Sequence, residues 1–457
     1  MNVNQRNRLF RQGEIDRLDL WPKIEEYEAH ARTFRFNFGL DELPTEPGIL
    51  LVRGPRQFGK STWMELELKY TLEDFGKGTA FYLNGDDIID ADELEQRIVE
   101  LVPMYAKTAP VKRLFIDEIS AVANWEKALK RIADRGEIKD VLVVTTGSKA
   151  TDIRRGSERL PGRKGKLGRT DFIFTGVSYK DFYVQNHQDL GEDTWIAYLL
   201  SGGSPIAANE IWQLEKIPDY FYEIVRDWII GELIRSGRSR RFLLALLRTI
   251  FNQAGARTGY LKLARESGLA NNTLAAEYIE QLSDLLAVVP SPQWDSHKQI
   301  YLQRKPVKFH FVNLAVALAF SSNRMTCVHD FKQISSNDQS KWLEWLVAQE
   351  LFRRQCIRGV ESPEDIGFWA SKEHEIDFVD AEGTFIEVKL GKTSPLDFAW
   401  FPKVFPKKKL LVVNQREFQT EQIKGITVEQ FLLSDGFPHP YPGMVEDIDI
   451  YNNYTRF

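Results

Sequence analysis

Cysteine is almost missing: the 457 residues hold only Cys327 and Cys356, far apart and without CxxC spacing. That pair supports neither a disulfide framework nor a zinc site, and makes a reducing cytoplasm the simplest expected home. Long apolar runs are missing too. The longest, such as Asn313 to Phe320, falls well short of a bilayer crossing, so no membrane partner is expected. The polar, basic start from Met1 to Arg11 lacks an apolar stretch, so no signal peptide is expected. Charge of one sign is not in excess: a net −5 excludes a uniformly basic nucleic-acid coat but leaves local basic patches open. Internal repeats and long low-complexity linkers are not found.

What is there is an ordinary globular composition, 43% hydrophobic and 27% charged, in a chain too long for one core. Three α/β or helical domains are expected, at 1–205, 206–330 and 331–457. In the first, Ile49–Val52, Thr79–Leu83, Leu114–Ile116 and Val141–Val144 read as buried strands. Helix-spaced stretches Trp63–Phe75, Asp92–Met104 and Trp125–Arg135 lie between them, so a mainly parallel sheet covered on both faces is predicted. From Ile206 the pattern turns helical. Tyr260–Glu266, Gly268 and a helix with Leu274, Tyr278, Leu282 and Leu285 on one face read as a helix-turn-helix, with Val288-Val289 and Gln299–Leu302 as strands of a wing. The last region opens with an apolar-faced helix through Trp342, Trp345 and Leu351. A hairpin follows, Ile376–Val379 and Thr384–Leu390 joined at Ala381-Glu382-Gly383, then a strand at Lys409–Val413.

Gly54-Pro55-Arg56-Gln57-Phe58-Gly59-Lys60-Ser61 matches GxxxxGK[ST] in full, after a predicted strand and before a helix starting near Thr62. Glycines let such a loop curl so that backbone N–H groups face phosphate oxygens, and the helix adds its positive dipole end. Lys60 would reach the β- and γ-phosphates and the Ser61 hydroxyl would hold Mg²⁺. Arg113–Glu118 supplies the partner, an apolar strand ending in two acids. Asp117 would bind Mg²⁺ through water and Glu118 would orient the attacking water. After the next strand, Thr145-Thr146-Gly147-Ser148 offers a polar side chain for sensing the γ-phosphate, or simply a turn of small polar residues. Beyond it, Arg154, Arg155, Arg159, Arg163, Lys164, Lys166 and Arg169 face one acid, Glu158. This is either a solvated basic loop or the source of an arginine acting on the γ-phosphate within the chain or across a homo-oligomer; Arg163 is the best candidate.

The loop Gly54–Thr62 resembles that of the archaeal and bacterial AAA-type ATPases related to the STAND switch ATPases. Tyr82-Leu83-Asn84, Ile116-Asp117-Glu118, Trp125, Thr146-Gly147-Ser148, Leu160–Arg163 and Gly202-Gly203-Ser204-Pro205 extend the resemblance. Gly176–Phe182 stands where the family has Pro-Leu-Ser-Phe-x-Glu-Phe, a loose match that bears on module packing. The resemblance implies ATP rather than GTP, a sensor role for Ser148, an arginine-finger-like role for Arg163, a winged helix, and a C-terminal domain like the PD-(D/E)xK nucleases.

In that last domain, strand alternation puts Glu387 and Lys389 on one face, and the hairpin would bring Asp377 beside them. Phe385–Lys389 resembles the central strand of the nuclease core. Two carboxylates could hold a second Mg²⁺ or Mn²⁺, with Lys389 orienting water or steadying phosphate charge and Glu350 as the third acid. Alternatively the acids are simply hydrogen-bonded in a binding module. In the middle domain, Asn271, Asn272 and Thr273 with Arg235, Arg238, Arg240, Arg241 and Arg248 suit DNA contacts, but Glu277, Glu280 and Asp284 on the same helix favour domain coupling. The sequence thus implies an ATPase controlling a nuclease-like domain that acts on DNA, or a regulatory switch ATPase whose C-terminal domain binds partners without cutting.

Overall fold

The computed structural model describes residues 1–148, 160, 162–213, 216–302, 304–380 and 383–434. Strands β1 (Gly48–Arg53), β2 (Ala80–Asn84), β3 (Arg113–Asp117), β4 (Leu142–Gly147) and β5 (Asp171–Ile173) form a parallel sheet ordered β2-β3-β4-β1-β5. Ile49–Val52, Leu114–Ile116 and Leu142–Val144 are buried along their whole lengths. That is the reason they read as unbroken apolar runs. The order sets β4 between β1 and β3, so the loops leaving all three gather at one edge of the sheet, where open parallel sheets bind ligands.

The first helix, Val3–Gln12, finishes the far edge of this sheet. Asn7 donates its amide to the Tyr82 carbonyl at 2.8 Å and accepts from the Tyr82 N–H at 2.9 Å, pairing an edge strand that would otherwise be open. Arg6 pairs with Glu65 at 2.8 Å, and Glu65 also accepts the Lys23 N–H at 2.9 Å. Glu65 lies on the Lys60–Phe75 helix, so the N-terminal segment is tied to the helix that follows the phosphate loop.

Gly202-Gly203 closes this module against the next. A Cβ on Gly202 would sit 2.2 Å from the Ala315 nitrogen, and one on Gly176 would sit 2.5 Å from the Gly203 oxygen. Val177 donates to that same Gly203 oxygen at 2.8 Å. Only glycine lets three backbones meet this closely, which gives the Gly-Gly-Ser-Pro stretch a packing reason.

The middle region carries helices Asp219–Arg235, Arg240–Asn252, Tyr260–Ser267 and Asn272–Asp284. Gly268 turns between the last two in the left-handed region, and Asn271 caps the second by accepting the Leu274 N–H at 2.8 Å. Strands form at both positions expected of a wing, but they do not pair with each other. β6 (Val288–Ser291) pairs with β9 (Lys308–Phe311), while β7 (Gln293–Asp295) and β8 (Ile300–Leu302) form a hairpin that joins the C-terminal sheet. That sheet comprises β7, β8, β10 (Gly367–Ala370), β11 (Glu375–Val379), β12 (Phe385–Val388), β13 (Leu410–Asn414), β14 (Phe418–Gln419) and β15 (Ile423–Thr427). The long helix Ser336–Arg358 packs against both β9 and β12. The third unit therefore borrows two strands from before residue 331. No helix among the described residues is long and apolar enough to cross a membrane.

Candidate functional site

The edge formed by β1, β3 and β4 opens into a cleft of about 450 Å³. Arg56, Gln57, Gly59, Lys60, Ser61 and Thr62 line it from the loop, with Glu118 and Ser148 from the neighbouring strand ends. The loop has the backbone such a cradle needs: Gly59 and Gln57 both have positive φ, +95° and +63°. A Cβ on Gly54 would meet Phe174 at 2.7 Å, and one on Gly59 would meet the Phe36 ring at 2.6 Å. Gly54, Pro55 and Phe58 hold the loop from beneath.

Lys60 is buried and folds back on the loop, its Nζ donating to the Pro55 carbonyl at 2.6 Å and the Gly54 carbonyl at 3.1 Å. Burial lowers its pKa from the ordinary lysine value, against the pull of Glu118 and Asp117. Two neutral carbonyls are weak partners for an ammonium taken out of water, so the group is poised to exchange them for phosphate oxygens. Asp117, also buried, accepts a hydrogen bond from Thr146 Oγ1. Glu118 stands in the left-handed region at φ +49°. Its Oε2 accepts both the Ser148 N–H at 3.1 Å and the Ser148 hydroxyl at 3.0 Å. Arg56 Nε in turn donates to Ser148 Oγ at 3.2 Å, and its guanidinium lies 3.5 Å from Glu232 on the Asp219–Arg235 helix.

Residues 46–182 match the family model described as an AAA domain. The N-terminal module is an AAA-type P-loop domain. An uncharacterized protein of Methanocaldococcus jannaschii is 23% identical over 399 residues, covering 81% of this chain and 78% of that protein. Among solved structures, a Walker-type ATPase of Pyrococcus abyssi aligns with a TM-score of 0.39 and 14% identity, over 67% of this chain and 95% of that one. AMPPCP-bound DnaA from Aquifex aeolicus aligns with a TM-score of 0.28 and 13% identity, over 59% of this chain and 88% of that one.

The AAA module's cleft has a wall that no motif announced. Lys23, Tyr27, His30, Arg32, Phe34 and Phe36 line it from the segment before β1. Tyr27 and Phe36 are 5.7 Å apart, and the Tyr27 hydroxyl donates to the Phe34 carbonyl at 2.9 Å, which makes a firm aromatic corner. On the opposite side Arg235 enters from the middle region, paired with Glu232 by a short contact. Arg163 is not among the lining residues; it pairs with Asp134 at 2.6 Å. The arginines brought to the cleft are thus Arg32, Arg56 and Arg235. Arg169 is also committed elsewhere, donating to the Cys356 and Ile357 carbonyls at 2.6 and 2.9 Å. Arg154, Arg155, Glu158 and Arg159 lie outside the described residues.

In the middle region Glu277 pairs with Arg238 at 2.8 Å, and Gln281 accepts from Ser236 at 3.1 Å. The polar face of this helix is engaged with the turn after the Glu232 helix, a contact inside the middle region.

The C-terminal sheet brings Asp377, Glu387 and Lys389 together. Glu387 Oε2 accepts the Asp377 N–H at 3.2 Å, Asp377 Oδ2 accepts the Val388 N–H at 3.0 Å, and Lys389 Nζ lies 2.6 Å from Glu387 Oε1. The third acid differs from expectation. Glu350 is bound to Arg353 at 2.8 Å and Arg354 at 2.7 Å, which hold its carboxyl below the usual range although burial alone would raise it. The acid on that helix that meets the cluster is Glu344, six residues earlier. One buried residue from β9, Lys308, reaches in among them, 2.6 Å from Glu375, 3.2 Å from Asp377 and 3.8 Å from Glu344. Every oxygen of Asp377 and Glu387 is therefore engaged within the chain, and no group of three or more His, Cys, Asp or Glu among the described residues is arranged to hold a metal ion. As folded, these acids do not fit a divalent cation.

Proposed function

We propose that the chain is a Mg²⁺-dependent ATPase that works as a switch, its nucleotide state setting the position of the middle region and the C-terminal domain. The observation that carries this reading is the continuous run of contacts from Glu118 through Ser148 and Arg56 to Glu232. It joins the acid next to the reacting phosphate to a helix of another domain.

The residues of the cleft fit the nucleotide. Lys60 would leave the Gly54 and Pro55 carbonyls for the β- and γ-phosphate oxygens, and the backbone N–H groups of the loop would take the remainder. Ser61 and Asp117 would hold Mg²⁺, which when bound offsets charge on the phosphates and on the leaving group. Glu118 would orient the attacking water and take its proton, which requires it to loosen from Ser148. Arg56 and Arg235, on either side of the cleft, would steady the γ-phosphate, and in doing so Arg56 would release Glu232.

The middle region reads as a winged helix that couples domains, and the C-terminal domain as a nuclease-like fold. DNA is the partner we propose for the exposed arginine face Arg240, Arg241 and Arg248 of one helix. Assays of ATP binding and turnover in wild type, Lys60→Ala and Glu118→Gln test the core of the reading. Wild type should bind and hydrolyse, Glu118→Gln should bind with turnover down by roughly 100-fold or more, and Lys60→Ala should do neither. Wild-type turnover in Lys60→Ala would overturn the reading.

A further inference from the structure

We propose that Lys308 is a built-in counter-cation occupying the place of a divalent ion among Asp377, Glu375 and Glu344, so that metal binding there and docking of β9 exclude each other. The inference rests on reading this domain as nuclease-like, and names what keeps its acids from metal.

The geometry is specific. Lys308 is 1% exposed, with its ammonium aimed at three carboxylates that come from two different elements, β11 and the Ser336–Arg358 helix. Its own strand belongs to the β6–β9 pair of the middle region, not to the sheet that carries the acids. An ammonium and a divalent cation compete for the same ring of carboxylate oxygens, and the lysine is covalently supplied at high local concentration. Burial would strip the Lys308 proton, but Asp377, Glu344 and Glu375 more than offset this and keep it charged. Glu344 retains a buried oxygen, Oε1, with no hydrogen-bond donor, and the two nitrogens of His310 next to it are equally without partners. An unsatisfied carboxylate oxygen beside a lysine that only reaches 3.8 Å is a coordination position left incomplete by a monovalent occupant. Arg257 also reaches this ring, 3.3 Å from Glu375.

The arrangement makes the acid cluster report the position of β9. With β9 docked, the acids are neutralised from inside. Were the middle region to shift and withdraw Lys308, three carboxylates would face one another without the cation they share, which is costly unless another cation enters. The nucleotide cycle and the metal state of the C-terminal domain would then be linked through one side chain.

The test is Mn²⁺ binding to the nucleotide-free full chain, read by electron paramagnetic resonance, in wild type, Asp377→Asn, Lys308→Met and Lys308→Met/Asp377→Asn. Lys308→Gln serves as a second, volume-preserving variant should Lys308→Met fail to fold. Wild type and Asp377→Asn should give the same isotherm. Lys308→Met or Lys308→Gln should gain a site at least tenfold tighter than any in wild type, and adding Asp377→Asn should remove it. A wild-type site of that strength lost in Asp377→Asn would overturn the counter-cation role while leaving the nuclease-like reading standing. Folded Lys308 variants that gain no site would likewise overturn the counter-cation role, and the nuclease-like fold would then stand as a module whose acids hold no metal.

Discussion

One carboxylate oxygen of Glu118 accepts two hydrogen bonds from the same residue, Ser148, through its backbone N–H at 3.1 Å and its hydroxyl at 3.0 Å. The acid proposed to handle water is thereby held by the end of the adjacent strand, and that hold passes on to Arg56. Ser148→Ala removes the hydroxyl and leaves the backbone donor. We expect ATP turnover to fall by roughly 10-fold with KM changed little, since a hydroxyl released from Glu118 would no longer be there to sense the γ-phosphate after binding. Steady-state kinetics with unchanged kcat would sink the assignment.

Arg56 and Glu232 meet across a module boundary at 3.5 Å, with the Arg56 side chain 43% exposed. Such a pair adds little to stability. Its expected effect is on communication: a non-hydrolysable ATP analogue should change the limited-proteolysis pattern of the middle region in wild type. In Glu232→Gln that change should shrink or vanish while analogue affinity holds. A variant pattern that responds as wild type does would count against the relay.

Gly202 stands at φ +59° with Ala315 backbone where a side chain would go. Gly202→Ala is expected to destabilise by roughly 2–4 kcal/mol, strain and overlap together. Gly136, at φ +71° but facing open space, is the control, and Gly136→Ala should lose only about 1 kcal/mol. Equal losses in thermal melts of the two would show that the close approach does not matter.

His310 is fully buried, and burial first, then the Lys308 charge, holds its pKa down at about 3, against the pull of Asp377; Glu344 also faces it, at 3.7 Å. The folded state keeps the ring neutral where the unfolded chain, near 6.5, takes up a proton. The stability this contributes is present above pH 6.5 and is lost as pH falls from there toward 3. The slope is at most about 1.4 kcal/mol per pH unit for the single proton. His310→Phe should flatten the acid limb of a stability profile by that amount, and an unchanged limb would refute the prediction.

Much of the AAA module was legible because its signals are local. Gly59, Lys60 and Asp117 sit in fixed spacings beside strands that are buried on both faces, and such strands announce themselves by unbroken apolar runs. β5 was not foreseen, since three residues beginning with an exposed Asp171 carry no period. The hairpin of Asp377 and Glu387 was legible from alternation. Glu344 was not legible, because which face of a mostly buried helix meets a given sheet is decided by tertiary packing. The wall from Tyr27 to Phe36 and the entry of Arg235 are likewise products of distant segments meeting, as is Lys308, whose charge gives no hint of burial. Arg163 drew attention as one of many arginines, and Asp134 on another element holds it.

The hairpin of β7 and β8 lies on the outer side of β10 although it precedes the long helix in the chain. A fragment cut from residue 331 onward would expose β10 as a raw edge, with Phe368 stripped of its neighbour Gln293. Open edges of this kind recruit strands from other molecules. The piece of the protein that looks most separable by eye is therefore the one most apt to aggregate when separated, and the modules of this chain are better counted by their sheets than by their order along the polypeptide.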